Sequence, residues 1–172
     1  NKAFPGLDLG YQVASNLRVY GNVGYTYRVP TYTDLYYIGP QAIGNENLQP
    51  EDALSQEIGL KWHTSRFNFD FAAFNRDSND LIDYVRLTDA DLVFTPFNIQ
   101  DVNTKGFETQ MEYRFSVNTL PQKIRLGYTF IEDEVKSTSA AYSRYAINSL
   151  KHQVVGAYTM EWFKNFSNSV AY

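Results

Sequence analysis

The sequence of 172 residues contains no cysteine, so it can form neither a disulfide framework nor a thiolate metal site. It also lacks any run of about 18 apolar residues, and its mean hydropathy is −0.40, which excludes a transmembrane helix. Lysine and arginine are never concentrated in one stretch, and the formal net charge is −4. Because no basic stripe is present to neutralise a phosphate backbone, we expect no nucleic-acid partner.

Methionine and tryptophan are scarce, with two of each, whereas the chain holds 14 tyrosines and 12 phenylalanines. This aromatic enrichment, with few strong helix formers, favours β-strands. Strands that alternate apolar residues toward lipid with polar residues toward a lumen average to the hydropathy of a soluble protein. The composition is therefore compatible with a transmembrane β-barrel.

The strongest sequence pattern has a period of two. Leu17, Val19 and Val23 fall on one face of a predicted strand, while Arg18 and Asn22 fall on the other. The same alternation returns in the segments 54–63, 107–115 and 124–130. These patterns predict strands with one apolar face and one polar, often charged face.

The predicted connections alternate strictly between short and long. The short ones are 15–16, 64–65, 117–122 and 163–166, and the long ones are 29–52, 88–96 and 135–149. An up-and-down barrel in an outer membrane has short turns at one end and long loops at the other. We therefore predict an all-β fold, an antiparallel meander of about eight strands forming part of a larger transmembrane barrel. The predicted strands are 7–14, 16–28, 53–63, 67–87, 97–116, 122–134, 150–162 and 167–172.

Several local features are also predicted. The polar stretch 75–80 is expected to contain a bulge or bend, and a short helical turn is allowed at 33–37. Aromatic residues beside the short turns suggest a girdle at the level of lipid headgroups. Closing the 64–65 turn is expected to place Trp62 opposite Phe67 and to bring Lys61 and Asp70 onto one polar face. Phe74 shares the polar parity of Asp70 and has no obvious partner.

Two segments of the first long connection resemble a known family. Tyr27 to Tyr37 reads Tyr-Arg-Val-Pro-Thr-Tyr-Thr-Asp-Leu-Tyr-Tyr, and Gly44 to Glu51 reads Gly-Asn-Glu-Asn-Leu-Gln-Pro-Glu. Both resemble elements of TonB-dependent receptors, in the same order within one loop. Glu46 and Gln49 stand where the family usually has Pro and Lys. Further on, the Asn-rich segment 98–103 leading to Lys-Gly-Phe-Glu at 105–108 is also similar to these receptors.

The resemblance implies a barrel of about 22 strands that encloses a plug domain. It implies a bacterial outer-membrane location, contact with outer-membrane lipid, and uptake of a siderophore or cobalamin-type ligand. Energy would come from the TonB complex through a plug that is not in this chain. Residues 1–172 are accordingly expected to be part of one β-barrel domain, an internal or C-terminal part, because eight strands are too few to close it. Residues 1–6 do not have the pattern of a signal peptide.

The best candidates for ligand contact lie in or beside the first long loop: Arg28, Tyr32, Asp34, Tyr36 and Tyr37. Tyr32, Tyr36 and Tyr37 offer flat faces and hydroxyls to a large planar or catecholate ligand, and Arg28 could meet an anionic one. Arg28 could equally pair with Asp34 or with a lumen carboxylate. The tyrosines could also simply cover the top of the barrel.

The sequence provides little support for other chemistry. Glu57, Asp70, Glu108 and Glu112 could suggest a glycosidase, but a ladder with Lys61, Arg114 and Arg125 explains them better. His63 and His152 are not placed together by any pattern, and Asp89 with Asp91 lacks an EF-hand spacing for calcium. We therefore expect no enzyme, no catalytic residues, no cofactor and no metal site. The alternative function is a soluble β-sandwich module that binds a ligand or carbohydrate through its tyrosines.

Overall fold

The computed structural model describes residues 3–137, 142–143 and 150–172, and most of them lie in one antiparallel sheet. The strands are β1 (Gly6–Ala14), β2 (Leu17–Arg28), β3 (Glu51–His63), β4 (Phe67–Arg86), β5 (Thr95–Val117), β6 (Leu120–Ser137), β7 (Tyr142–Ser143), β8 (His152–Phe163) and β9 (Phe166–Ala171). A single short helix, α1 (Tyr32–Tyr36), interrupts the first long connection. Among the described residues, no helix has the length and apolar character needed to cross a membrane.

The strand order is sequential. Each long strand pairs with its neighbours in the chain, in the order β1-β2-β3-β4-β5-β6-β8-β9, and the two-residue β7 pairs separately with the end of β4. This confirms the predicted meander, since antiparallel neighbours joined by hairpins need no crossover. The short helical turn that the sequence allowed at 33–37 is present as α1.

Short and long connections alternate along the sheet as predicted, which defines a short-turn end and a long-loop end. One short turn is tighter than expected, because only two residues separate the end of β5 from the start of β6. Asn118 and Thr119 have φ values of 48° and 71°. Two consecutive left-handed residues close a two-residue hairpin, so both strands extend into the predicted 117–122 connection. Most of the predicted 135–149 connection lies outside the described residues.

The register at the 64–65 turn corrects one prediction and confirms another. Trp62 pairs with Phe69, not with Phe67, because four residues, 64–67, separate the paired residues His63 and Asn68, rather than the expected two. The Thr64 N–H donates to the Phe67 carbonyl over 2.8 Å and closes the turn. The Trp62 and Phe67 rings still meet edge to face, with centroids 5.4 Å apart. Lys61 pairs with Asp70 on the polar face, as predicted.

The polar stretch 75–80 of β4 contains the predicted bulge. The register between β4 and β5 shifts between Ser78 and Leu81, and Asp80 adopts a φ of 55°. The Asp80 N–H donates to a carboxylate oxygen of Asp101 over 3.1 Å, so a side chain replaces the lost ladder bond. The bulge bends β4 just below its long-loop end.

Phe74 lies on the polar face, where a glycine accommodates its ring. Phe74 pairs with Gly106, and a Cβ at that glycine would lie 2.8 Å from the ring and would collide with the Phe130 carbonyl oxygen. The absence of a side chain at residue 106 therefore creates the space that Phe74 fills.

Buried apolar side chains gather at the long-loop end, where the loops cover the ends of β4 and β5. Leu48 of the first loop, Tyr84 and Val85 of β4 and Val102 of β5 are buried there. Large apolar side chains along the rest of the sheet are exposed on one face. The described residues therefore contain one sheet whose apolar face is uncovered, whereas a sandwich requires a second sheet against that face.

Candidate functional site

An ion pair holds the base of the first long loop. Arg28, the last residue of β2, pairs with Glu51, the first residue of β3. The Arg28 Nε donates to Glu51 Oε2 over 2.6 Å, and a terminal nitrogen donates to Oε1. Glu51 Oε1 also accepts the Ile82 N–H over 2.8 Å. A forked pair of this kind fixes both strand ends and ties them to β4.

The loop enters α1 through a capping box. The Thr31 hydroxyl accepts the Asp34 N–H over 3.1 Å, and the Asp34 carboxylate accepts the Thr31 N–H over 2.9 Å. Each residue therefore satisfies a backbone donor of the other at the helix start. The same carboxylate accepts the Tyr84 hydroxyl over 3.2 Å and lies 3.9 Å from Arg28.

Asp34 is only 8% exposed, yet it is held ionised. Burial by itself raises the pKa of its carboxyl group, but hydrogen bonds from the Thr31 backbone, the Thr31 hydroxyl and the Tyr84 hydroxyl, with the charge of Arg28, outweigh burial. The net result is an Asp34 pKa below the ordinary value.

Asparagine side chains tie the returning half of the loop to β5. Asn98 accepts the Gln49 N–H over 2.8 Å and donates both to the Gln49 carbonyl and to the Asp80 carbonyl. Asn45 donates to the Pro96 carbonyl over 3.0 Å. These bonds join the first loop, the bulge of β4 and the start of β5 into one unit.

The first and second long loops also share backbone bonds. Ala42 forms a parallel bridge with Phe94, and the Ile43 N–H donates to the Phe94 carbonyl over 3.0 Å. The next residue, Gly44, lies very close to the backbone of α1, because a Cβ on Gly44 would lie 2.7 Å from the Leu35 carbonyl. Glycine is thus required at this position of the motif by packing against the end of α1.

The three candidate tyrosines are exposed on this anchored loop. Tyr32, Tyr36 and Tyr37 are 79%, 48% and 45% exposed. Tyr32 and Tyr36 are four residues apart on α1, which places their rings side by side with centroids 5.0 Å apart. Arg28 and Asp34 are instead engaged in holding the loop, the alternative that the sequence left open for Arg28. Ligand contact by any of the five residues stays a prediction.

Sequence reasoning missed several residues that complete this end of the sheet. The Arg86 guanidinium lies between two aromatic rings, 5.3 Å from the Phe94 centroid and 4.3 Å from that of Tyr142. Asp83 is buried and accepts hydrogen bonds from Gln100 and Ser143. Tyr142 and Ser143 form β7, so part of the third long connection packs onto β4. No local pattern in the sequence indicates these contacts between distant segments.

All of residues 1–172 match the family described as TonB dependent receptor-like, beta-barrel. The chain belongs to the TonB-dependent receptor family. A vitamin B12 transporter BtuB of Vibrio vulnificus (strain YJ016) is 24% identical over 159 residues, which cover 88% of this chain and 25% of that protein. A second BtuB, of Photobacterium profundum, is 27% identical over 74% of this chain and 21% of that protein. The chain therefore spans about a quarter or less of the length of these curated relatives.

Solved structures show the same fold. The siderophore receptor PirA from Acinetobacter baumannii superposes with a TM-score of 0.74 at 15% identity, covering 98% of this chain and 28% of that one. The copper transporter OprC superposes with a TM-score of 0.71 at 15% identity, covering 91% and 23%. At this identity the likeness concerns the barrel architecture alone.

The polar face of this TonB-dependent receptor barrel carries a charge ladder. Glu112 forms ion pairs with Arg114 on its own strand and with Arg125 of β6, the latter at 3.3 Å. Asp70 lies 2.6 Å from His63, a partner that the sequence did not indicate. These contacts agree with the interpretation of the polar-face carboxylates as members of a charge ladder between neighbouring strands, rather than as a glycosidase pair.

Metal and catalytic constellations were not expected in this receptor chain. Among residues 3–137, 142–143 and 150–172, no group of three or more potential His, Cys, Asp or Glu ligands comes together. His63 and His152 lie on opposite faces of the sheet, as their paired neighbours show. The Asp91 carboxylate accepts the Thr88 N–H over 2.8 Å and so stabilises its own turn.

Proposed function

We propose that this chain forms part of the wall of a bacterial outer-membrane receptor that takes up a large nutrient, of the iron siderophore or cobalamin type. The observation that carries the proposal is a single meander sheet of the TonB-dependent receptor family, apolar on one face and polar on the other. Relatives named as vitamin B12 transporters support the ligand class, and the barrel architecture is shared with a siderophore receptor and an iron transporter. Uptake is energised by the TonB complex through a plug domain outside these residues.

The ligand-contact surface in this proposal consists of Tyr32, Tyr36 and Tyr37. Their rings are exposed at the long-loop end, and the anchored loop limits their motion. A preorganised aromatic surface binds a ring-bearing ligand with little loss of side-chain entropy. Arg28 and Asp34 contribute indirectly, because their ion pair and capping box hold α1 in place.

Uptake by whole cells tests the proposal. Cells that produce the full-length receptor should accumulate labelled cyanocobalamin or a labelled ferric siderophore, and collapse of the proton gradient should abolish this accumulation. The receptor should fractionate with outer membranes and require detergent for extraction. Recovery of the protein in the soluble fraction without detergent would refute the proposal and favour the sandwich alternative.

A loop variant locates the ligand surface. Replacing Tyr32, Tyr36 and Tyr37 together by alanine should weaken ligand binding by about tenfold or more, since each buried aromatic contact contributes about 0.5–1.5 kcal/mol beyond area burial. Leu92→Ala is the matched control, because Leu92 is a highly exposed side chain in the neighbouring loop. Equal affinities of the triple variant and the control would exclude the tyrosine surface.

A further inference from the structure

The tyrosine surface stands on two joined loops that carry an excess of carboxylates. The first long loop with its strand ends, residues 28–51, and the second with its own, residues 82–95, contain two arginines and no lysine or histidine. Against these stand six carboxylates, which are Asp34, Glu46, Glu51, Asp83, Asp89 and Asp91. The two segments thus have a formal net charge of −4, equal to that of the whole chain. A ligand that approaches this end of the sheet therefore meets a negative field.

The first arginine is fully engaged, because all three guanidinium nitrogens of Arg28 face carboxylates. The Nε and one terminal nitrogen donate to the two oxygens of Glu51, and the other terminal nitrogen lies 3.9 Å from Asp34 Oδ2. An anionic ligand could bind Arg28 only by displacing these partners. Both carboxylate side chains are only 12% exposed and would then lose their counter-charge. That exchange is unfavourable, since an unpaired buried charge is costly.

The second arginine belongs to the junction between the second and third loops. The Arg86 guanidinium lies between the rings of Phe94 and Tyr142, and its Nε is inaccessible to solvent. Stacking on electron-rich ring faces stabilises this cation without a carboxylate. The described residues of the third connection that reach the junction, Tyr142 and Ser143, add no charge. Neither arginine of the two segments is therefore available to an anion.

Some of the carboxylates, by contrast, are open to solvent. Glu46 and Asp89 are exposed. Glu46 follows Asn45, whose N–H donates to the Asp34 carbonyl over 2.9 Å, so Glu46 lies beside α1. Because charges are screened over about 8–10 Å at physiological ionic strength, Glu46 acts on a ligand bound against α1.

The tyrosine rings select in the same direction as the carboxylates. The face of an aromatic ring is the negative side of its quadrupole, so it attracts cations and polarised C–H groups and repels anions. Tyr32 and Tyr36 present two such rings, whose planes are inclined by 50° to each other. The surface is therefore suited to the apolar edge of a ring system and not to a concentrated negative charge.

We propose that this surface selects an electrically neutral, ring-bearing ligand of the corrinoid kind and discriminates against polyanionic ferric catecholates. The inference rests on the proposed function and narrows its ligand class. A polyanionic chelate needs cationic donors to compensate for its lost hydration, and residues 28–51 and 82–95 have only engaged ones. The amide groups at the edge of a corrin ring form hydrogen bonds with tyrosine hydroxyls and loop amides without needing a counter-charge.

Binding to the full-length receptor in a non-ionic detergent tests the inference. Titration calorimetry compares neutral cyanocobalamin with its tricarboxylate derivative, in which side-chain amides of the same ring are hydrolysed. A second pair is ferrichrome, a neutral ferric trihydroxamate, and ferric enterobactin, a trianionic tricatecholate. The neutral member of at least one pair should bind, and its anionic counterpart should bind at least about tenfold more weakly at low salt. Added salt should narrow the difference, because screening weakens the repulsion.

A charge-reversal variant shows whether the loops are the source of the discrimination. Glu46→Lys combined with Asp89→Lys should strengthen binding of the anionic member about tenfold and change binding of the neutral member by less than about twofold. Glu161→Lys is the matched control, because Glu161 lies near the short-turn end of β8, and it should change neither affinity. Heat-modifiable migration on gels verifies that each variant is folded.

Equal or tighter binding of the anionic member of either pair would overturn the inference and leave the proposed function intact. Unchanged discrimination in the double lysine variant would also overturn the inference, because the loops would then not be its source. Failure of all four probes to bind would remove the proposed function together with the inference.

Discussion

Replacing Asp34 by alanine should loosen the first long loop while leaving the sheet intact. The carboxylate accepts hydrogen bonds from the Thr31 N–H, the Thr31 hydroxyl and the Tyr84 hydroxyl, and it lies near Arg28. Alanine removes all of these bonds at once. The Tyr84 hydroxyl then loses its bond to Asp34 in a buried environment, and α1 loses half of its capping box.

The size of the effect follows from the charge and burial of this group. A hydrogen bond to a charged partner contributes about 1.5–3 kcal/mol, and loss of a helix cap costs about 1 kcal/mol. These contributions share one carboxylate and do not add fully, so we expect the free energy of loop opening to fall by about 2–3 kcal/mol. Since 1.4 kcal/mol is a factor of ten, local opening should become roughly 30- to 150-fold more frequent.

Hydrogen exchange of the full-length receptor in detergent measures this opening. The N–H groups of Leu35, Tyr37 and Asn45 report on it, because they donate to carbonyls within the loop. In Asp34→Ala they should exchange faster, while amides of residues 107–115 should not change. Asp89→Ala, which removes an exposed carboxylate from the next loop, should have no effect at these sites. Unchanged exchange in Asp34→Ala, or equal acceleration in β5, would contradict the anchoring role of Asp34.

Three further predictions concern acid, a close-packed glycine and the isolated chain. Because folding lowers the pKa of Asp34, its stabilisation of the loop is complete above the unfolded pKa of about 3.9 and is lost as the pH falls through the lower folded pKa. Pepsin cleavage within residues 29–50 should therefore rise as the pH falls between these two pKa values, and Asp34→Asn should remove this pH dependence. Gly106→Ala should lower the free energy of unfolding, measured in urea, by about 1–3 kcal/mol, because a Cβ at residue 106 would collide with a backbone carbonyl. Gly24→Ala should change it by less than about 0.5 kcal/mol, because a Cβ at residue 24 meets nothing within 4 Å. Residues 1–172 expressed alone without detergent should not be a monodisperse monomer by light scattering, since many large apolar side chains are exposed on one face of the sheet, whereas soluble monomers rarely expose contiguous apolar patches larger than a few hundred Å². A sharp cooperative transition of a monomer would disprove this.

The strands could be predicted closely because each one repeats a two-residue pattern over a long stretch. The bounds of β3 differ from the prediction by two residues at one end, and β1 differs by one. Registers were less predictable, because they depend on turn geometry. Two left-handed residues shortened the β5–β6 turn, and two additional unpaired residues in the β3–β4 turn moved Phe69 opposite Trp62.

The candidate site could be predicted only in part. A resemblance in sequence located the loop, but it could not separate ligand-facing residues from anchoring ones, since the polar ends of Arg28 and Tyr32 can each bind a ligand or a neighbouring protein group. Their difference arises from partners distant in the chain, such as Glu51 and Tyr84, which become neighbours only after the hairpins form. The position of Phe74 likewise required knowledge of Gly106 on the next strand.

The hydrogen bonds that join the first two long loops make them one structural unit, which could be transferred to another barrel only as a whole. In the described part of the chain, every strand except the two-residue β7 pairs only with its neighbours in the meander, so loop length can change without altering the register of the long strands. Residues 29–50, however, depend on Phe94, Pro96 and Asn98 for their conformation. A graft of the first loop into another barrel would therefore need the second loop with it, and divergence between receptors in one loop should be accompanied by compensating change in the other.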